Sequence, residues 1–327
     1  EKDLLAALSL VMIFGSFVYF FYKLDWLGVA ITLILSAGTL YLIRPYLNLT
    51  PLPTISHEPE TKIDYLLLSV FLIAGASAWF FLIAGRSGAA LISPWQTTSP
   101  WFFLAYALAT FSLLALLFRA KRSNRNRWLL GAHYALSFSV AAIIYKLGYG
   151  FDPFIHQASM EMIIDQGFIL PKTPVYLGEY SLVTIISRFS GLSIYALNKF
   201  LVPITAALML PGAIKTLGAS RGRTTGALLG GLLVLSSPFS FLIVSTPQNF
   251  AYLFLILTLL YSLSGQRFLA LLLSLATFAI HPIAGLPALS FWAFRELDYR
   301  RPLLSNRSYK RRRLITFFGS LLSLPLA

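Results

Sequence analysis

Runs of apolar residues, each close to the length of a bilayer crossing, alternate along this chain with short polar segments. They cover 4–22, 27–43, 65–85, 101–118 and 128–146, and resume at 195–214, 226–244 and 251–264 after a mixed stretch at 147–194. A helical span needs about 20 apolar residues. Backbone groups in lipid must be bonded within their own segment, so each run is predicted to be helical. The apolar segment 268–294 is interrupted by His281 and Pro282, and another run starts at 314. The mixed stretch follows a different pattern. Asp152 before Pro153 marks a helix start, with Asp as cap and Pro at the first helical position. A helix from 153 to about 166 would turn Phe154, Ile155, Met162 and Ile163 towards lipid and Glu161 and Asp165 towards water, as an amphipathic helix lying at the interface does.

Composition agrees with the pattern. Apolar residues are 57% of the 327, charged residues 12%, and mean hydropathy is +0.74, whereas a soluble domain has about 25% charged residues. The expected class is an all-α polytopic membrane protein. With no cysteine, disulfide frameworks and thiolate metal sites are excluded. A net charge of +14 would suggest nucleic acid, but most of the 26 Lys and Arg fall at 119–127, 215–223, Arg267 and 295–313. Basic clusters flanking apolar spans mark cytoplasmic loops instead, so no nucleic-acid partner is expected. The run 4–22 follows the acidic start "EKD" and is too long for the core of a secretory signal, so it reads as a span.

The basic clusters orient the chain. The N-terminus, 44–63, 119–127 and 215–223 fall in the cytoplasm of a plasma-membrane protein, while 86–100, 147–194 and 236–250 fall outside. Segment 181–193 then lies along the interface or re-enters. Segment 268–294 must begin and end inside, as a hairpin or a broken re-entrant pair with His281 and Pro282 at its outer turn. The sequons at 48–50 and 306–308 face the cytoplasm on this map and are chance matches. Residues 1–127 read as an accessory four-span bundle and 128–327 as the core. The run from 314 is too short for a final span, which suggests that a longer protein has been cut here.

Candidate chemistry begins in the outer loop. Asp152 and His156 are four residues apart and share one face of a helix start. That spacing suits a carboxylate held by an imidazole, a base with its orienting partner, or two ligands of one ion. The flank "GYGF" lets backbone come close to a ligand. Glu161, Asp165 and Glu179 add acids, and Lys172, Arg188 and Lys199 add cations whose plain role is anchoring at the headgroups. His281 sits in the apolar segment "LATFAIHPIAG", a functional position by default, or else it bonds a carbonyl freed by Pro282.

The stretch "GFDPFIHQASMEMIIDQGF" resembles the first external loop of the GT-C glycosyltransferase superfamily, above all the oligosaccharyltransferase catalytic subunit. The following "VYLGEYSLVTIISRFSGLSIYALNKFLVPITAALMLPGAIKTLG" and "GALLGGLLVLSSPFSFLIVSTPQNFAYLFLILTLL" are similar to segments of protein O-mannosyltransferases and aminoarabinose transferases. The resemblance covers about 145–295. It implies a GT-C-like bundle whose external loop carries an interfacial helix. It also implies transfer of sugar from a polyprenyl-phosphate donor to a protein, glycan or lipid acceptor on the outer face. Asp152 matches the family's acidic residue, as base or metal ligand, with His156 beside it and magnesium or manganese as the one cofactor admitted. Lys172, Glu179, Tyr180, Arg188, Lys199, Asn249 and His281 become the substrate-binding candidates. The second outer loop departs from the family: it carries Gln248 and Asn249 where oligosaccharyltransferases have acids, so a second carboxylate ligand would have to be Glu161, Asp165 or Glu179. Two rival classes are a transporter or flippase for lipid-linked saccharides and a non-catalytic subunit of the same fold. A transporter should show paired halves with broken helices at mid-membrane, and no internal repeat is evident.

Orientation is directly testable. Single cysteines in this cysteine-free chain should react with an impermeant maleimide from outside at position 152, but not at 122 or 311. Labelling at 122 would overturn the map.

Overall fold

A computed structural model of the protein describes residues 1–47, 61–119, 124–236 and 240–300. Most of the proline-rich linker before 62, both sequons, the Ser-Pro break at 237–238 and the run from 314 lie outside the described residues. The helices in order are α1 (Lys2–Phe21), α2 (Trp26–Leu47), α3 (Lys62–Ala84), α4 (Pro100–Arg119), α5 (Asn124–Phe138), α6 (Val140–Ile144), α7 (Asp152–Gln166), α8 (Leu177–Ser190), α9 (Ile194–Ser220), α10 (Thr224–Leu232), α11 (Pro247–Leu263), α12 (Arg267–Ile280) and α13 (Pro282–Arg300). No strand occurs among the described residues. Five helices, α1 to α4 and α9, are long and apolar enough to cross a membrane.

Three expected spans differ in detail. The run 128–146 is divided into α5 and α6 at Ser139 (φ −87°, ψ 0°). The run 226–244 is the short α10 followed by single 3-10 turns at Leu233–Ser236 and Ser240–Leu242. Segment 268–294 is a hairpin: His281 is extended, and Pro282 opens α13, where its missing N–H costs nothing. A Cβ on Gly285 would lie 2.2 Å from Phe278 Cα, so the two arms meet backbone to backbone just past the turn. At the far end Arg267 Nε donates to Glu296 Oε2 (2.7 Å), and the Trp292 indole N–H donates to the Arg267 carbonyl (3.1 Å).

The chain forms two compact units that interleave along the sequence, and neither coincides with the division at 127 expected above. Of the described residues, 1–47, 154–197 and 246–300 form the first, and 61–119, 124–153, 198–236 and 240–245 the second. In the first unit, α1 and α2 are an antiparallel pair and α8 and α12 pack on α1. One end gathers the start of α1, the end of α2 and the start of α12. There Lys2 Nζ donates to Gln266 Oε1 (2.9 Å), and the Tyr46 and Phe268 rings lie 5.9 Å apart. The other end holds the α1–α2 turn, where Leu24 N–H donates to the Gly167 carbonyl (2.7 Å). α8 lies across that second end. Its first turn meets the last residues of α12 at Gly178, and Phe189 in its last turn meets Trp26 at the start of α2, with ring centroids 6.0 Å apart.

In the second unit α3 and α4 are an antiparallel pair. Thr61 and Asp64 form a reciprocal cap on α3, and Arg119 at the end of α4 pairs with Asp64 (2.9 Å). Ala78, Leu82, Phe102, Ala105, Leu136 and Ile144 make their shared core with α5 and α6. Pro211 leaves the Ala207 carbonyl of α9 without its helical donor, and Gly131 of α5 comes so close that a Cβ there would be 2.7 Å from that oxygen.

Close approach at Gly178 predicts a stability effect. A Cβ there would lie 2.9 Å from the Ala279 carbonyl carbon and the Ile280 nitrogen, whereas Gly38 on α2 has open space around it. Gly178→Ala should therefore lower stability by about 1–3 kcal/mol, while Gly38→Ala should be neutral or gain up to about 1 kcal/mol of helix propensity. Denaturant unfolding in micelles measures both, and equal effects would contradict the packing described.

Candidate functional site

The candidate site grows from α8. Tyr176, just before the helix, has φ 68° and ψ 0°, a left-handed conformation uncommon outside glycine. α8 is held down by small residues: a Cβ on Gly15 of α1 would be 2.6 Å from Ser181 Cβ, and Gly178 rests on the end of α12. Such close packing seals Glu179 completely, at 0% exposure. Neither of its carboxyl oxygens has a hydrogen-bond partner, nor do the hydroxyls of Ser181 and Thr184 on the same helix. Taking a carboxylate out of water without a partner is so unfavourable that the group protonates instead. Burial pushes the Glu179 carboxyl up to about 8.

Beside Glu179, four rings form a connected cluster. His156 Nδ1 lies 2.7 Å from the Tyr180 hydroxyl. The Tyr176 ring sits between His156 (5.1 Å) and His281 (5.2 Å), and 6.1 Å from Tyr180. Burial raises the Tyr180 phenol, which stays neutral. A neutral phenol can donate to Nδ1 or accept from it, and either way the bond fixes the position of the imidazole. His281 Nδ1 accepts the Ile283 N–H (3.2 Å), so this imidazole caps the start of α13, and its expected bond to a freed carbonyl is replaced by one from a helix N–H.

The structure distributes the remaining candidates. Asp152 is the exposed first residue of α7, and the boundary between the two units follows one residue later. Glu161 accepts from Gln157 (2.8 Å) on an exposed surface. Lys172 donates to the carbonyls of Tyr19 (3.0 Å), Phe20 (3.3 Å) and Tyr22, closing the end of α1. Arg188 donates to the Ile164 carbonyl (2.5 Å) and stacks over Trp26. In the second unit Lys199 donates to the Tyr145 (2.8 Å) and Lys146 (3.1 Å) carbonyls. The Asn249 backbone N–H donates to Thr246 Oγ1 in the first turn of α11. His156, Tyr180 and His281 thus come together, joined by Tyr176, which the sequence pattern had not marked. Among the described residues no group of three His, Asp or Glu side chains converges as a metal site. Comparisons with protein-family models, curated proteins and solved structures find no match.

The buried carboxyl makes a pH prediction. From the ordinary value of 4.5 up to about 8, the folded chain holds a proton on Glu179 that the unfolded chain releases. Its contribution is fully present below pH 4.5 and is lost as pH rises through about 8. Glu179→Gln should remove that decline, so the variant should melt higher than the parent at pH 8–9 and about level with it near pH 4.5. A melting difference independent of pH would mean that Glu179 is not buried as a neutral acid.

Proposed function

We propose that the protein is a multi-pass plasma-membrane glycosyltransferase of the GT-C type, taking sugar from a polyprenyl-phosphate donor on the extracytoplasmic face. One observation carries this reading. An exposed carboxylate, Asp152, opens α7, and one turn later the half-buried His156 is anchored by the buried Tyr180. An acid and a fixed imidazole four residues apart in one helix have the spacing that suits general-base chemistry. In the proposed reaction the bond from the anomeric carbon to the phosphate oxygen breaks and the acceptor oxygen takes its place. The acceptor proton goes to Asp152, and polyprenyl phosphate leaves with the bonding electrons. His156 positions the acid or the acceptor, and a magnesium or manganese ion, if used, would neutralise the donor phosphate from Asp152 and His156.

The grouping of helix ends supports the orientation. Lys2, Arg44 and Arg267 share one end of the first unit, the end expected inside. The α1–α2 turn, residues 167–172 and α8 share the other, with α8 lying across it as an interfacial segment would. All three Lys172 protons are taken by carbonyls, so phosphate binding by Lys172 would require their release. Lack of a carboxylate at Gln248 and Asn249 favours one second reading, a non-catalytic subunit of the same fold.

The side chain of Asp152, the first residue of α7, makes no cap hydrogen bond, so the expected cap is not formed. Asp152→Asn keeps the shape of the side chain and removes only its charge, which separates the two readings. As an enzyme, the Asn and Ala variants should fold and lose sugar transfer from a polyprenyl-phosphate donor by about a hundredfold or more. His156→Ala should lose less. Full transfer by Asp152→Asn would take Asp152 out of the chemistry.

A further inference from the structure

A second concave site lies at the opposite end of the first unit from the His–Tyr cluster. It is a cavity of about 450 Å³ where α2 ends and α12 begins, walled by Tyr46, Gln266, Arg267, Phe268, Trp292 and Glu296. That volume falls within the range of small-ligand pockets. The position, at the mouth of the α1–α2 spans and among Tyr and Trp side chains, is the depth at which lipid headgroups sit.

The charges in its wall specify the ligand. Arg267 and Glu296 stand side by side in a two-point pair, with Tyr299 stacked under the guanidinium. Arg267 and Glu296 both line the cavity, with the Arg267 side chain 41% exposed and that of Glu296 13%. Glu296 engages Nε and one Nη of Arg267 and Tyr299 lies against the same guanidinium, so a phosphate would share Arg267 with these two partners through its remaining N–H bonds. A purely anionic headgroup that reaches Arg267 must also meet the Glu296 carboxylate, and a simple cation must meet Arg267. A ligand with phosphate and ammonium together answers both. The ammonium also gains the faces of Tyr46 and Trp292. Nearby, Arg44 pairs with Asp3 (3.5 Å), and Lys2 is bonded to the lining residue Gln266. Leu42 and Leu297, both well exposed, offer apolar surface for attached chains.

We propose that this cavity binds the headgroup of a zwitterionic phospholipid, its phosphate on Arg267 and its ammonium against Glu296 and the aromatic wall. The inference does not depend on the chemistry at Asp152. Native mass spectrometry of the full chain, purified with an equal mixture of phosphatidylethanolamine, phosphatidylcholine and phosphatidylglycerol, tests it. The protein should retain the two zwitterionic lipids over the anionic one by about tenfold. Glu296→Gln should shift retention towards phosphatidylglycerol, because it removes the repelling carboxylate and leaves Arg267. Excess soluble phosphoethanolamine should displace the bound lipid if the headgroup alone is recognised, whereas a site read through lipid tails would ignore it and overturn the proposal. Equal retention of the three lipids by the parent protein, or a preference for the anionic one, would overturn it without recourse to any variant.

Discussion

Close packing at Gly15, against the Ser181 side chain, and at Gly178, against the backbone of α12, is the constraint on which the candidate site depends. Lipid gives helices no hydrophobic reason to associate, so small residues that admit close contact carry much of the packing. Here they lay α8 across the end of α1 and α12. Once α8 is there, Glu179 has no water and no partner, Tyr176 is held in a left-handed conformation, and Tyr180 is placed to bond His156. The imidazole is thereby fixed by a helix that it does not belong to. Strain at Tyr176 persists because the rings of His156 and His281 lie on either side of it.

A second theme is the use of cations at helix ends. Lys172 satisfies the last carbonyls of α1, and Lys199 those at the end of α6. Carbonyls at a helix C-terminus have no intrahelical donor and carry the negative end of the dipole, so an ammonium there is stabilising. These residues read from the sequence as phosphate binders or headgroup anchors. In the fold their first role is to tie loops to helices, and through Lys172 the segment after α7 is held to the α1–α2 turn.

Much of the fold was legible because lipid leaves the backbone few options. The first four spans appear within a few residues of where apolar length placed them, and the Asp-Pro start of α7 was visible as local chemistry. The hairpin of α12 and α13 followed from charge at both its ends, a topological constraint rather than a local one. What stayed hidden is tertiary. The break at Ser139 and the short α10 lie inside runs whose hydropathy is unbroken. Glu179 sits in "LGEY", which looks like a wet loop until the glycine beside it meets α12. Tyr176 carries no signal of its own, and the interleaving of the two units depends on contacts far apart in sequence. Asp152 and His156 were paired by spacing, whereas the fold shows His156 bonded to Tyr180.

The central proposal is that a lipid-linked sugar is handled near Asp152 and the ring cluster that α8 positions. A polyprenyl-phosphate sugar bearing a photoreactive group near its phosphate tests this most directly, with cross-linked peptides mapped by mass spectrometry. Adducts on peptides covering 152–180, and their loss on competition with the unmodified donor, are expected. Adducts confined to the opposite end, around Arg267 and Trp292, or none that the donor displaces, would contradict it.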